Sequence, residues 1–141
     1  MFKKILIPMD DSELGQEALQ QGLALAKLSG GEVTILYAIE APYEPVSNYG
    51  QLEQAQTHKA KAKKVLQQIS TEARLRGIPT QAIIVEQHPV PAILEAAKEH
   101  DLVVMATHGK GVERVLMGSV TDKVLHNCST SILVVRSAPT Q

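Results

Sequence analysis

The sequence predicts an α/β protein built on an open, doubly wound parallel sheet with helices on both faces. Short runs of branched apolar residues alternate with helix-like segments along the whole chain, and glycine or proline stands at most junctions. Because strand–helix–strand crossovers are right-handed, only a few doubly wound arrangements remain. With 141 residues and 44% hydrophobic content, we expect one domain over residues 1–141.

Strands are predicted where Val, Ile and Leu run almost continuously, as in a strand buried on both faces of a parallel sheet. The five predicted strands are Lys4–Met9, Val33–Glu40, Ala82–Glu86, Leu102–Ala106 and Ser131–Val135. Between the second strand and the next helix, Ala41–Gly50 contains two prolines and is predicted to be a loop.

Helices are predicted between the strands from steps of three and four in the apolar positions. The first helix is capped by Asp11 or Ser12 and stops at Gly30, and the others are Gln51–Arg76, Pro89–His100 and Gly118–Cys128. The positions expected to face inward are Leu14, Ala18, Gly22, Leu25 and Ser29, then Ala55, Ala62, Val65, Leu66, Ile69 and Ala73, then Val120, Val124 and Leu125.

Composition limits the classes of partner. The formal net charge is −1, from 14 Lys and Arg against 15 Asp and Glu, so no global field favours nucleic acid or an anionic membrane. The lysines of the second helix are interpreted as a solvated face. The single cysteine, Cys128, excludes a disulfide within the chain and suits a reducing compartment, so we expect a cytoplasmic protein. The apolar run at the N-terminus is too short for a membrane span.

In an open parallel sheet, ligands bind outside the carboxyl ends of the strands where the strand order reverses. The segment after the fourth strand, MATHGKGVERVLMGSV from Met105 to Val120, carries the strongest signal. Glycines let the backbone approach a ligand closely, and the amides that open the following helix favour a negative group. Ser119 adds a hydroxyl that serves either as a phosphate ligand or as the helix cap. The segment therefore predicts an anion-binding loop, with phosphate as its guest.

Two common phosphate motifs do not fit this segment. A P-loop needs Ser or Thr after Gly-Lys, but Gly111 follows Lys110. A dinucleotide fingerprint needs a third glycine where Arg114 stands, and it follows the first strand, not the fourth. The residues alone thus leave the nature of the anion open.

The segment resembles the nucleotide-binding signature of universal stress proteins, which reads glycine, two residues, glycine, nine residues, then glycine and Ser or Thr. MATHG, GSV and the closing ILVVR carry this likeness, and FKKILIPMDDSE and LYAIE resemble the first two strands of that family. The resemblance spans essentially the whole chain. It implies strand order 3-2-1-4-5, a homodimer joined through the last strand and, in one branch of the family, ATP bound at the switch point. Any Mg²⁺ is expected to be carried by the triphosphate.

The resemblance also implies a set of nucleotide-binding residues. Pro8, Met9 and Asp10 match the turn around adenine and ribose, Ala38 the strand position that packs on adenine, Met105 and Ala106 the strand end beneath the ribose, Gly109, Gly118, Ser119 and Val120 the phosphate cradle, and Thr107 and His108 its two variable places. Asp10 is the expected acceptor for ribose hydroxyls or the adenine edge, since a carboxylate accepts such bonds strongly.

The sequence departs from the signature twice. Ala106 replaces the first glycine, and eight residues, Lys110–Met117, separate Gly109 from Gly118 instead of nine. Two functions therefore stay open: a regulatory protein that binds an adenine nucleotide, and a dimeric interaction module of the same fold that has lost it.

Dedicated catalysis and a protein-built metal site are not expected. The five histidines show no pair at metal-ligand spacing. Asp10 and Asp11 are adjacent, so on an extended strand end they point to opposite faces. No arginine finger or aligned base for water is evident, so we expect any ATP hydrolysis to be slow or incidental. A regulatory protein partner is expected, without an identity.

Overall fold

Strands and helices alternate in the computed structural model, which describes residues 1–10, 13–39, 49–107 and 118–136. In chain order the elements are β1 (Lys4–Met9), α1 (Glu13–Ser29), β2 (Glu32–Ile39), α2 (Tyr49–Leu75), β3 (Thr80–Glu86), α3 (Pro89–Ala97), β4 (Leu102–Ala106), α4 (Ser119–Asn127) and β5 (Ser131–Val135). The predicted caps of the first helix, Asp11 and Ser12, lie outside the described residues.

The five strands form one parallel sheet in the order β3-β2-β1-β4-β5. The central strand β1 pairs with β2 on one side, where Lys4 is opposite Glu32, and with β4 on the other, where Ile5 is opposite Leu102. The predicted fold class and strand order are confirmed. The strand order reverses at β1, so the carboxyl ends of β1 and β4 bound the crevice where a ligand is expected.

Helices cover both faces of the sheet, and each face has its own buried core. On one face α1 and α2 pack against the strands through Ala18, Leu19, Leu23, Ala26, Ala62, Leu66, Ile69 and Ala73. On the other face α3 and α4 contribute Ala92, Ile93, Ala97 and Val124, which pack on Leu6, Leu36, Val103 and Met105. The alternation of strand side chains between the two cores is that of a sheet buried on both sides.

Helix α1 approaches the central strand closely at Gly22. A Cβ atom built on Gly22 would stand 2.4 Å from Cδ1 of Ile7 and 3.0 Å from its Cγ1. Ile7 is fully buried, so its side chain has little room to move aside. The absence of a side chain at position 22 thus sets the distance between α1 and β1.

Several predicted details are wrong. Helix α2 begins at Tyr49, so Gly50 belongs to a helix and not to the predicted loop, and α3 ends at Ala97, before the predicted His100. Val65 was expected to face inward, but 39% of it is exposed. Its neighbours Ala62, Leu66, Ile69 and Ala73 form a narrower buried line, because α2 covers only the margin of the sheet next to β3.

Candidate functional site

A cavity of about 350 Å³ opens at the carboxyl ends of β1 and β4. Nine of the residues predicted to bind nucleotide line it: Pro8, Met9, Asp10, Ala38, Met105, Ala106, Gly118, Ser119 and Val120. They come from three strand ends and the start of α4. The fold therefore brings together residues that are up to 112 positions apart, from Pro8 to Val120.

Five further residues line the same cavity and were not predicted: Gly15, Leu36, Pro89, Ile93 and Thr121. Pro89 and Ile93 belong to the first turns of α3, and Leu36 belongs to β2. Leu36 could have been found from strand periodicity, since it stands two residues before Ala38 and so shares its face. The sequence carries no comparable signal for the contribution of α3, which depends on how that helix packs across the sheet.

One wall of the cavity is apolar. Leu36, Ile93 and Met105 are buried in the core beneath α3 and α4, and Ala38 packs against them. Such a wall accepts the flat face of a ring and excludes water from it.

The rim of the cavity is polar where β1 ends. Asp10 directly follows β1, is exposed, and lines the cavity. A carboxylate in this place can accept hydrogen bonds from the hydroxyl or amino groups of a bound molecule. The cavity thus combines an apolar wall with an acceptor at its mouth.

Helix α4 begins at the cavity. Gly118 is its N-cap, with φ −60° and ψ 151°, and makes no side-chain capping hydrogen bond. Ser119 is the first helical residue, so the alternative in which its hydroxyl caps α4 does not occur. The amides of a first helical turn have no partner within the helix, and the helix dipole favours a negative group there. The start of α4 is therefore suited to an anion.

Three hydrogen bonds fix the start of α4 relative to the sheet. The Gly118 N–H donates to the carbonyl of Thr107 at 2.8 Å, and the Thr107 N–H donates to the carbonyl of Val135 at 3.0 Å. The Thr121 hydroxyl donates to the carbonyl of Ala106 at 2.8 Å. Thr107 is buried and is not among the residues that line the cavity, so its backbone links β5 to α4 while Ala106 and Gly118 line the cavity.

Two predicted site residues, His108 and Gly109, lie outside the described residues, as does the shortened spacer Lys110–Met117. A different histidine, His88, has a structural role. Its Nδ1 accepts from the Val90 N–H at 3.2 Å and caps α3.

The described residues contain no group of three or more His, Cys, Asp or Glu side chains placed to hold a metal ion. In the same part of the chain, no helix has the length and apolarity needed to cross a membrane. The cavity is thus best described by its apolar wall, the Asp10 carboxylate and the start of α4.

Comparison with known proteins identifies relatives over nearly the whole chain. The model of the universal stress protein family matches residues 1–136. The chain is 33% identical to universal stress protein MJ0531 of Methanocaldococcus jannaschii over 141 aligned residues, which cover 96% of this chain and 83% of that protein.

Solved structures agree with the sequence relatives. The structure of protein MJ0577, also from M. jannaschii, matches with a TM-score of 0.86 and 30% identity, covering 99% of both chains. Universal stress protein UspA from Lactobacillus plantarum matches with a TM-score of 0.86 and 25% identity, covering 96% of this chain and 98% of the other. The chain therefore belongs to the universal stress protein family.

Proposed function

We propose that this protein binds an adenine nucleotide, with ATP as the expected ligand, in the cavity at the carboxyl ends of β1 and β4. The observation that carries the proposal is the cavity itself. It unites nine of the residues predicted from the signature with an apolar wall, one carboxylate and a helix N-terminus. These three features suit the three parts of a nucleotide.

Each part of the nucleotide has a partner in this arrangement. The adenine ring would lie against Ala38, where dispersion and exclusion of water favour a flat ring, and the ribose would lie above Met105 and Ala106. The Asp10 carboxylate would accept from the ribose hydroxyls. The amides of Ser119 and Val120 would hold phosphate oxygens, since the Gly118 N–H already donates to the Thr107 carbonyl. Phosphate binding at this helix start needs no basic cluster, which agrees with the near-neutral charge of the chain.

Adenine nucleotides in other proteins of this fold support the choice of ligand. A universal stress protein in complex with cAMP matches with a TM-score of 0.74 at 22% identity. A universal stress protein family protein from Arabidopsis thaliana with AMP bound matches with a TM-score of 0.71 at 17% identity. Both ligands share adenine, ribose and one phosphate, the parts that the described cavity would contact.

The proposed role is regulatory, in a stress response in the cytoplasm, and not catalytic. The described cavity residues include one carboxylate and no lysine or arginine that would stabilise a transferring phosphoryl group. If ATP binds, Mg²⁺ would arrive with the triphosphate. The bound nucleotide would then bias the shape of the protein or its choice of partner.

The direct test is mass spectrometry of ligand released when freshly purified protein is denatured, followed by calorimetric titration with ATP, ADP and AMP. We expect a co-purified adenine nucleotide and measurable heat. The Asp10→Asn variant should lose at least about tenfold in affinity, because hydrogen bonds to a charged acceptor contribute about 1.5–3 kcal/mol. Titration with 2′-deoxy-ATP is the matched control. The difference in affinity between ATP and 2′-deoxy-ATP should be smaller in Asp10→Asn, because the amide oxygen of asparagine is a weaker acceptor than a carboxylate. An absence of heat at millimolar nucleotide contradicts the proposal.

Ala106 favours a second candidate function, an interaction module that keeps the fold without a nucleotide. Ala106 lines the cavity at a position where the family signature has glycine, so it carries a methyl group that the signature lacks. Such a module would purify without ligand and give no heat with any adenine nucleotide. Recovery of a nucleotide from the protein rejects it.

We also propose a homodimer joined through β5, which is an edge strand of the sheet. Because the Thr107 N–H donates to the Val135 carbonyl, the odd-numbered residues of β5 bond to β4 and Ile132 and Val134 turn their main-chain groups outward. The Val134→Pro variant removes one outward N–H and should shift the sedimentation mass from dimer to monomer. A dimer that survives this change would place the interface elsewhere.

A further inference from the structure

The other edge of the sheet, β3, presents main-chain groups that have no strand partner among the residues that the structure describes. The Val33 N–H donates to the Pro79 carbonyl and the Gln87 N–H donates to the Ile39 carbonyl, each at 2.9 Å. In a parallel pair, alternate residues bond to the same neighbour, so the odd-numbered residues of β3 bond to β2. Ala82 and Ile84 therefore turn their N–H and C=O groups away from the sheet.

Within the described part of the chain, the strand β3 itself carries none of the usual features that prevent pairing. Natural edge strands are blunted by charges, prolines or bulges. The register of β3 with β2 is continuous from Thr80 to Glu86, so no bulge interrupts it. The stretch Gln81–Val85 has no charge and no proline, and 38% of Ile83 is exposed. The edge is therefore open to another strand.

A groove of about 670 Å³ lies between this edge and helix α2. Its residues include Lys63, Gln67, Thr71 and Arg74 from α2 and Ala82 and Ile84 from β3. The two strand residues are those whose main-chain groups point outward. The groove thus offers main-chain hydrogen bonds at its floor and a helix face along its side.

The helix face of the groove is basic. Lys63 and Arg74 are exposed, and neither makes an ion pair with another residue in the part of the chain that the structure describes. The other polar side chains that line the groove, Gln67, Ser70 and Thr71, are neutral. An acidic occupant would complement this face.

The chain itself shows how α2 binds an acidic strand residue. One turn before Lys63, the Lys59 ammonium donates to the Glu86 carboxylate of β3 at 2.9 Å. Lys63 stands four residues further along α2 and so continues the same face. It occupies the position for a second such pair, with an acidic residue on a strand beyond β3.

The spacing of the two cations defines the pattern that the occupant needs. Lys63 and Arg74 are eleven positions apart on the helix, which corresponds to a rise of about 16.5 Å. Two residues four positions apart on a strand share a face and stand about 13 Å apart. Long side chains can span the difference between this spacing and that of the two cations on the helix. Acidic residues at positions i and i+4 therefore fit.

We propose that the β3 edge and its groove bind an extended acidic segment of a partner protein, which adds a sixth strand beside β3 and pairs acidic residues at i and i+4 with Lys63 and Arg74. Main-chain hydrogen bonds to Ala82 and Ile84 supply affinity that is independent of sequence, and the two ion pairs supply selectivity. The site lies at the opposite edge from β5 and does not depend on nucleotide binding.

The test uses a fluorescein-labelled seven-residue peptide with glutamate at the second and sixth positions, threonine at the fourth and valine elsewhere. Fluorescence anisotropy with the full chain should show saturable binding. A peptide with lysine in place of both glutamates should bind at least tenfold more weakly. N-methylation of one alternating set of peptide amides should abolish binding, whereas methylation of the other set should not, because only one set faces β3.

Charge reversal in the protein completes the test. The double variant Lys63→Glu and Arg74→Glu should lose at least tenfold in affinity for the glutamate peptide and should gain affinity for the lysine peptide. The double variant Lys61→Glu and Lys64→Glu is the matched control, with the same change in net charge on exposed residues of the same helix. It should bind the glutamate peptide within a factor of three of the original protein.

Three results would overturn the proposal. The first is equal binding of the peptides methylated on either set of amides, which shows that no strand forms. The second is an equal loss in the two double variants, which shows general electrostatic attraction, as an oligonucleotide would experience. The third is a change in sedimentation mass in Lys63→Glu with Arg74→Glu, which shows that a second copy of the chain occupies the groove.

Discussion

The Thr121 hydroxyl, in the first turn of α4, donates a 2.8 Å hydrogen bond to the carbonyl of Ala106, the last residue of β4. Thr121 is only 4% exposed, so this bond is shielded from water. Together with the bond from Gly118 to Thr107, it holds the N-terminus of α4 against the end of the strand. The position of the proposed phosphate site therefore depends on a side chain that need not touch the phosphate.

We predict that Thr121→Val lowers the free energy of unfolding by about 1 kcal/mol, the net contribution of a typical hydrogen bond. Valine has nearly the same shape but leaves the Ala106 carbonyl without its donor. The affinity for adenine nucleotide should fall as well, because the start of α4 is no longer held. Urea denaturation and calorimetric titration measure the two effects.

Thr121→Ser is the matched control. It keeps the hydroxyl and removes one methyl group, which costs about 0.8 kcal/mol of burial. Its stability should therefore fall by a similar amount, while its nucleotide affinity should stay near that of the original protein. If both variants bind nucleotide equally well, the bond to Ala106 has no part in positioning the site.

Strand prediction succeeded where burial on both faces leaves a continuous apolar run. The predicted bounds of β1, β4 and β5 agree with the structure at both ends. Strand β3 begins two residues earlier than predicted, at Thr80, because pairing with β2 extends across two polar residues at the open edge of the sheet. Polar residues in an edge strand stay in contact with water, so hydropathy does not reveal them.

The parts of the site that the sequence did not reveal depend on contacts between distant elements. Thr121 is a polar residue in an amphipathic helix, and only the approach of α4 to β4 makes it buried. Pro89 and Ile93 reach the cavity because α3 crosses the sheet above Leu36 and Met105. No local pattern encodes these tertiary contacts.

The contact of Gly22 with Ile7 predicts a non-additive pair of substitutions. Gly22→Ala should destabilise the protein by about 1 kcal/mol, since overpacking costs about 1–3 kcal/mol and the better helix propensity of alanine returns about 1 kcal/mol. In the Ile7→Val background, where Cδ1 is gone, the same change should be neutral or stabilising.

A double-mutant cycle in urea measures this coupling. Ile7→Val alone should cost about 0.5–1.5 kcal/mol. An equal effect of Gly22→Ala in both backgrounds would show that α1 shifts away from β1 without meeting resistance from Ile7.

The exposed ion pair between Lys59 and Glu86 predicts a small dependence of the stability of the folded state on pH. The hydrogen bond from Lys59, followed by its positive charge, holds the pKa of Glu86 below its usual value. A carboxylate whose pKa is lowered on folding stabilises the folded state above its unfolded pKa, and loses that contribution as the pH falls through its folded pKa. The effect on stability should be small because both side chains are largely exposed.

Carbon-13 NMR of the glutamate carboxyl groups tests this assignment. In Lys59→Met the pKa of Glu86 should rise towards its usual value, whereas in Lys61→Met it should not change. An unchanged pKa in Lys59→Met would mean that the two side chains do not pair in solution.

Substitutions of Ala106 should distinguish the two candidate functions, a nucleotide-binding protein and an interaction module that has lost its ligand. Ala106→Gly restores the glycine of the family signature and removes a methyl group from a residue that lines the cavity, so we expect tighter binding of ATP and AMP. Ala106→Val adds bulk at the same point and should weaken binding at least about tenfold, which corresponds to about 1.4 kcal/mol. Calorimetric titration of both variants gives the two affinities.

Stability and affinity should change in opposite directions in Ala106→Gly, because glycine in a strand costs about 0.5–1 kcal/mol relative to alanine. The matched control is Ala82→Gly and Ala82→Val, at a strand alanine on the far edge of the sheet, which should leave nucleotide affinity unchanged. If Ala106→Val binds adenine nucleotide as tightly as the original protein, the nucleotide does not pass over the end of β4.

If only Ala106→Gly binds adenine nucleotide, the natural chain is an interaction module from which the nucleotide is excluded by a single methyl group.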